Sequence, residues 1–326
     1  MSLSRIGCKI FCRNVGFFQV VIANKLTFKA LNIFCVALLA LYFSAHVNAA
    51  EPTSPSQWLE KMSSALQKLN YQGVFIYRRA EDLAAMKVTH VADEQGTREM
   101  LETLTGEARR EIRTTPANSA DDVGQLANID HYYSLELLGN DRAAGRVTQL
   151  ISVTPKDEYR YGYRLWLDQV TGLLLKSDLL DQKGEVLEQV MFTSLELLQP
   201  EQVADALGLS GSSVAPDSTT VPGPATSKNN WVVGTLPKGF VLMSAHSDSL
   251  NSAFDHSVYS DGLASVSVFI ERAKSEGDAF VGVSQMGAVS AFGNVDAGYQ
   301  ITVVGDVPEV TVTTIGQSIS LETVPQ

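Results

Sequence analysis

The strongest constraint in the sequence is a run of short turns in its middle. Tyr161–Leu167 (YGYRLWL) and Leu173–Leu180 (LLLKSDLL) flank Asp168-Gln169-Val170-Thr171-Gly172. Asp181-Gln182-Lys183-Gly184 then leads into Glu185–Leu195. Each turn puts Asp early, where its side chain can bond the backbone, and Gly late, where positive φ is needed. Connections this short cannot cross over a sheet, so consecutive strands must run antiparallel. The same grammar occurs upstream. Gly73–Arg79, Lys87–Val91, Thr97–Leu104 and Glu107–Arg113 read as strands of a meander, with Asp93-Glu94-Gln95-Gly96 and Thr105-Gly106 as turns. Between the two groups, His131–Leu138 reads as a strand or short helix, and Gly139–Arg146 as a Gly-containing loop.

One helix precedes the sheet. Ser54 suits its N-cap, Pro55 its first position and Gln57 the reciprocal cap. Trp58, Met62, Ala65, Leu66 and Leu69 recur at helical spacing, and Asn70 can end the helix. A helix with this apolar face, laid on the concave side of a broad curved sheet, buries Trp58 and its neighbours.

Composition changes at Gly208–Asn230, where Gly, Ser, Thr, Pro and Ala dominate and little is available to bury. This predicts an exposed linker at 208–230 between a large domain at 50–207 and a small one at 231–326. In the small domain the strand candidates are Gly239–Met243, His256–Tyr259, Leu263–Glu271, Val281–Ser284, Ala288–Phe292 and Tyr299–Val304. Turns are expected at Ser260-Asp261-Gly262 and Gly293-Asn294, and Pro308 can start a helix over Glu309–Ser318 despite its β-branched residues. The fold class is therefore α+β, with a large antiparallel sheet carrying helices and a smaller antiparallel sheet with one helix.

The N-terminus reads as an export signal over 1–49. Lys25 and Lys29 precede the apolar Ala30–Phe43, and Val47-Asn48-Ala49 offers small residues for cleavage. The alternative is a retained anchor, but the run is short against the ~20 residues of a bilayer span. Cys8, Cys12 and Cys35 all lie in this leader. The mature chain then has no thiol nucleophile, disulfide or cysteine-ligated metal, which suits an oxidising compartment.

Charge excludes one class of partner. The formal net charge is −11, and the leader holds only basic side chains, so the mature chain is more acidic still. Such a surface repels a phosphate backbone, and no nucleic-acid partner is expected. Catalytic motifs are missing too. His90, His131, His246 and His256 form no zinc-binding pattern, Gly282-Val283-Ser284-Gln285-Met286 lacks the second glycine of a nucleophile elbow, and no P-loop or dinucleotide fingerprint occurs. We expect no enzyme, no catalytic residue, no metal and no cofactor.

Two groups bear on binding. Arg78, Arg79, Arg109, Arg110 and Arg113 fall on neighbouring strands and form a candidate patch for an anionic partner, because guanidinium pairs bidentately with carboxylate and phosphate. The alternative is cross-strand pairing with Glu99, Glu102, Glu107 and Glu111. Trp58, Met62, Tyr161, Tyr163 and Trp166 are candidates for an apolar pocket that takes acyl chains, or equally for core. Spacing alone leaves both pairs of alternatives open.

Several blocks carry a family resemblance. They are Tyr71-Gln72-Gly73-Val74-Phe75-Ile76-Tyr77, Tyr159–Asp168 (YRYGYRLWLD), Thr171–Asp178 (TGLLLKSD), Gly234–Phe240 (GTLPKGF) and Tyr259–Phe269 (YSDGLASVSVF). With these the chain resembles the MucB/RseB family, regulators of the sigma-E envelope-stress response. The resemblance implies a large domain built as an unclosed β-barrel packed on helices, similar to LolA and LolB, plus a small antiparallel sheet domain. It implies a periplasmic protein, peripheral to the membrane through its partner, that binds the periplasmic part of the anti-sigma factor RseA/MucA. There it shields that partner from site-1 proteolysis until lipoprotein or lipopolysaccharide releases it. The alternative is a periplasmic lipid or lipoprotein carrier on the same barrel.

Overall fold

A computed structural model describes residues 52–116, 128–207, 219–220, 231–248, 254–273 and 279–321. The expected leader at 1–49 lies outside these residues, as does the expected linker at 208–230 apart from Thr219–Thr220.

Helix α1 spans Pro55–Lys68 and starts as its sequence dictates. The Ser54 hydroxyl accepts from the Gln57 N–H at 3.3 Å, and the Gln57 side chain accepts from the Ser54 N–H at 3.2 Å. These bonds satisfy donors that a helix start otherwise leaves unpaired. Trp58, Leu59, Met62 and Ala65 are buried, and Leu59 is fully so. Leu59 is absent from the expected face, whereas Leu66, which belongs to it, is 37% exposed at the edge of the helix.

The first sheet has ten strands. They are β1 (Tyr71–Arg79), β2 (Asp82–Asp93), β3 (Gly96–Thr103), β4 (Arg110–Pro116), β5 (Tyr133–Ala143), β6 (Arg146–Pro155), β7 (Gly162–Asp168), β8 (Leu174–Leu180), β9 (Val186–Leu197) and β10 (Thr219–Thr220). Their spatial order is β10-β4-β3-β2-β1-β9-β8-β7-β6-β5. Two meanders, β1–β4 and β5–β9, are thus joined where β1 pairs antiparallel with β9. The outer strands β10 and β5 do not pair with each other, so the sheet curves without closing. Register shifts at Val74/Phe75, Leu137/Gly139, Trp166/Leu167 and Leu179/Leu180 add local twist.

The segment 139–146 is no loop. It runs through β5 into the hairpin with β6, and Gly139, at φ 101°, sits at a bulge. Only glycine takes that φ without strain, so a strand glycine marked a bulge here, not an interruption.

After a 3₁₀ turn at Pro200–Gln202 and a short helix α2 (Val203–Ala206), the second sheet begins beyond 230. Its strands are β12 (Val241–Asp248), β13 (Phe254–Ser260), β14 (Ser265–Arg272), β15 (Gly282–Met286), β16 (Val289–Asp296) and β17 (Tyr299–Gly305), in the order β12-β13-β14-β17-β16-β15. β11 (Trp231–Val233) pairs with β18 (Ile319–Leu321), so the two ends of this region meet. The expected turn at Gly293-Asn294 lies inside β16; the chain turns at Ala297-Gly298 instead, both at positive φ. Helix α3 (Glu309–Gln317) forms although four of its residues from Val310 to Thr313 are β-branched. Burial of Thr311, Val312 and Ile315 on the sheet outweighs the weak propensity. A Cβ on Gly316 would lie 2.2 Å from the Phe292 ring, so this contact admits only glycine.

Candidate functional site

The seam between the two sheets is where the unusual chemistry lies. Arg160 enters it from the connection between β6 and β7 and is 0% exposed. A buried guanidinium is tolerated only when paired and satisfied. Its Nε lies 3.2 Å from Asp157 Oδ1, its Nη1 3.1 Å from Asp261 Oδ2, and its Nη2 donates to the Lys238 carbonyl at 2.6 Å. The rings of Tyr132, Tyr133 and Phe240 surround it with centroids 5.1, 5.4 and 5.2 Å away. Asp157, Tyr132 and Tyr133 belong to the first sheet region, whereas Lys238, Phe240 and Asp261 belong to the second.

Asp261 has two tasks. Oδ1 accepts from the Leu263 and Ala264 N–H groups at 3.0 and 2.8 Å and so shapes the β13–β14 turn. Oδ2 faces Arg160 and accepts from the Tyr133 hydroxyl at 3.0 Å. Burial and the Asp261 carboxylate hold the Tyr133 phenol well above its ordinary range, so it stays a proton donor at any physiological pH. More polar bonds cross the seam: Thr311 Oγ1 to the Tyr159 carbonyl at 2.6 Å, Gln285 Nε2 to Tyr161 Oη at 3.2 Å, and the Ala288 N–H to Glu188 Oε1 at 3.4 Å.

Two cavities open along this seam. One of about 440 Å³ lies between α1 (Met62, Ser63, Leu66, Gln67) and the second sheet (Met243, Val258). The other, about 210 Å³, lies between Tyr163, Leu179 and Val190 of the first sheet and Asp306 of the second. Leu263 and Ser265 line both. Asp306 reaches solvent, yet partial burial and the Glu188 carboxylate raise its carboxyl above the usual range.

The five apolar candidates separate. Trp58 and Met62 pack with Ile151, Val153, Leu165 and Leu167 under α1, with Tyr163 at the margin. Trp166 joins another core with Ala65, Tyr71 and Leu175, its ring beneath the Lys176 ammonium and its N–H donating to Asp141 at 2.8 Å. Tyr161 packs with Leu179 and Ala288 at the seam. Of the five, Met62 lines the larger cavity and Tyr163 the smaller.

The arginines do not converge either. Arg110 pairs with Glu102, and Arg113 with Glu111 at 2.7 Å, both on the exposed β3–β4 ladder. Arg78 and Arg79 lie on β1 with β2 and β3 in between, and Arg79 packs against Gly287 at the seam. Arg109 precedes β4, and its N–H donates to Thr103 Oγ1. Among the described residues, His90 stacks on Tyr71 and bonds the Leu69 carbonyl through Nδ1, His256 stacks on Phe269, and no group of three or more His, Cys, Asp or Glu is placed to hold a metal ion.

Sequence reasoning missed Arg160 and Asp261. Both stand inside the longest motif blocks, and an Arg among tyrosines is a weak signal, but nothing local links two residues on separate sheets.

Family models match almost all of this architecture. The model described as MucB/RseB N-terminal domain matches 54–120 and 115–216, two pieces that correspond to the two meanders, and that for MucB/RseB C-terminal domain matches 225–320. The chain is 32% identical to the sigma factor AlgU regulatory protein MucB of Pseudomonas aeruginosa, over 89% of this chain and 98% of that one. It is 30% identical to the sigma-E factor regulatory protein RseB of Haemophilus influenzae, over 88% and 97%. The crystal structure of MucB in complex with MucA(peri) superposes with a TM-score of 0.62 at 30% identity, over 83% of this chain and all of that one. Free MucB gives 0.60 at 31% identity, over 82% and 98%. With both of its halves matched in order and a curved open sheet docked on a smaller one, the chain belongs to the MucB/RseB family of regulatory binding proteins.

Proposed function

We propose that this protein is a periplasmic negative regulator of sigma-E-type signalling. It binds the periplasmic part of a membrane-spanning anti-sigma factor of the RseA/MucA type and shields it from site-1 proteolysis. The observation that carries this reading is the near full-length match to MucB, a protein crystallised with MucA(peri). Export follows from the leader at 1–49, with the mature chain organised as 50–207, a linker at 208–230 and 231–326. No helix among the described residues is long and apolar enough to cross a membrane.

A binding role without catalysis fits three of the buried acids. Asp168 is held by Arg146 and Thr171, Asp178 by Gln189, and Asp261 by Arg160. Each is committed to folding or docking. Lipoprotein or lipopolysaccharide releases the partner by linkage: a ligand that favours the partner-free state lowers partner affinity by its differential binding. The seam cavities favour a second reading, a lipid or lipoprotein carrier.

The deciding experiment adds purified protein to the anti-sigma factor's periplasmic domain and its site-1 protease. Slower cleavage, restored by lipopolysaccharide, is the expected result. Unchanged cleavage with no co-purification overturns the regulator and leaves the carrier.

A further inference from the structure

The β13–β14 turn sits at an unusual place. Its Leu263 is half-buried against the core beneath α1, and its carbonyl accepts from Tyr163 Oη at 3.4 Å. The same residue lines both seam cavities. It therefore stands as a partition. On one side are Met62, Leu66, Met243 and Val258; on the other are Tyr163, Leu179 and Val190.

We propose that Leu263 is a gate dividing one acyl-chain groove into two, and that a single long alkyl chain binds by displacing it. This rests on the reading that an apolar ligand reverses partner binding, and it adds where the chain lies and what it moves. Cavities of about 440 and 210 Å³ become one trough once Leu263 withdraws. The larger cavity, with apolar walls and a few polar groups, suits a hydrocarbon chain, whereas the smaller one sets Ser177, Glu188, Gln189 and Asp306 beside Leu179 and Val190 and suits the headgroup end. Glu188 and Asp306 line the smaller end, so an anionic headgroup is disfavoured there and a neutral one accepted.

The coupling is built into Asp261. Its Oδ1 binds the Leu263 N–H, and its Oδ2 faces Arg160 and Tyr133. The Leu263 backbone, and with it the turn that carries the side chain, cannot swing out while Oδ1 holds its N–H and Oδ2 remains docked. Chain entry and seam closure thus compete, and the ligand works by differential affinity for the open arrangement.

The test uses the full mature chain and n-dodecyl-β-D-maltoside below its micelle concentration, with maltose as the headgroup-only control. Affinity is measured by calorimetry, and opening by hydrogen–deuterium exchange of the peptide covering 259–268. The expected pattern is binding of the detergent but not maltose, faster exchange at 259–268 on binding, about tenfold tighter binding by Leu263→Ala, and weaker binding by Leu263→Trp. Asp261→Asn should raise both the exchange rate without detergent and the affinity. Equal affinity in wild type, Leu263→Ala and Leu263→Trp, or binding with unchanged exchange at 259–268, overturns the gate and leaves the regulatory reading intact. No binding by any variant, Leu263→Ala included, overturns the groove as well, while protection of the anti-sigma factor is judged by its own cleavage assay.

Discussion

The interiors of the two sheet regions and the seam between them are built from different chemistry. Under α1 the contacts are Trp58, Leu59, Ile151, Leu165 and Leu167; beneath α3 they are Ile301, Val303, Val312 and Ile315. The seam instead holds a guanidinium, carboxylates, tyrosine hydroxyls and backbone carbonyls. Apolar interiors cannot be exposed without losing the whole benefit of burial, about 25 cal/mol per Å² of surface. Polar groups regain water when they separate, so their docking is nearly balanced. The contrast lets the two parts hold their folds while their junction separates.

The contrast breaks if the seam proves as indispensable as the cores, and five substitutions probe it. Arg160→Ala has the largest expected effect, about 4 kcal/mol on docking, because the buried Asp261 and the half-buried Asp157 are left without their cation. Calorimetry should then show two separated melting transitions where the wild type shows coupled melting; loss of all structure would erase the distinction drawn here. The Arg160→Ala/Asp261→Ala double variant should recover part of that cost, and strict additivity would mean the pair is uncoupled.

Ile301→Ala, in the second core, should cost about 3 kcal/mol and, in the Arg160→Ala background, lower only one of the two separated transitions. Denaturant titration followed by Trp231, which packs against that core, reads it.

Asp168→Asn should cost about 2 kcal/mol at neutral pH. Burial alone would raise the Asp168 carboxyl, but Arg146 and the Thr171 N–H and hydroxyl hold it below the ordinary value. A depressed folded pKa contributes stability that is present above the unfolded value of about 3.9 and is lost as pH falls through the folded one. The difference between wild type and Asp168→Asn should therefore shrink as pH falls below the unfolded value; a gap that does not narrow between about pH 5 and pH 2 would refute the assignment.

Ser54→Ala removes only a helix cap and should cost about 1 kcal/mol, seen as a small downward shift of the coupled melting transition.

Much of the fold could be read from local signals. The α1 cap, the Asp-to-Gly turns at 168–172 and 181–184, and the order of hairpins rest on neighbours in sequence. Strand β6 went unread because Arg146–Pro155 mixes polar and apolar residues and follows a glycine that resembles a loop. The site was much less legible. Tyr133 and Asp261 are 128 positions apart, and a pairing over that distance leaves no periodicity. The arginines looked clustered because adjacent strands were treated as adjacent in space; β2 and β3 stand between β1 and β4.

The pairing of β1 with β9 reaches beyond architecture. It places the earliest and nearly the last strand of the first sheet side by side, Phe75 opposite Phe192, in the middle of the order. A chain emerging from its N-terminus can form the first meander early, yet that meander stays half-finished until residue 197 is available. Long-range closure of this sort is slow and leaves an unpaired edge waiting. Folding of this sheet is thereby postponed until residue 197 has emerged, with more than a third of the 326-residue chain still to follow, and a fragment stopping before β9 would be prey for proteases and chaperones.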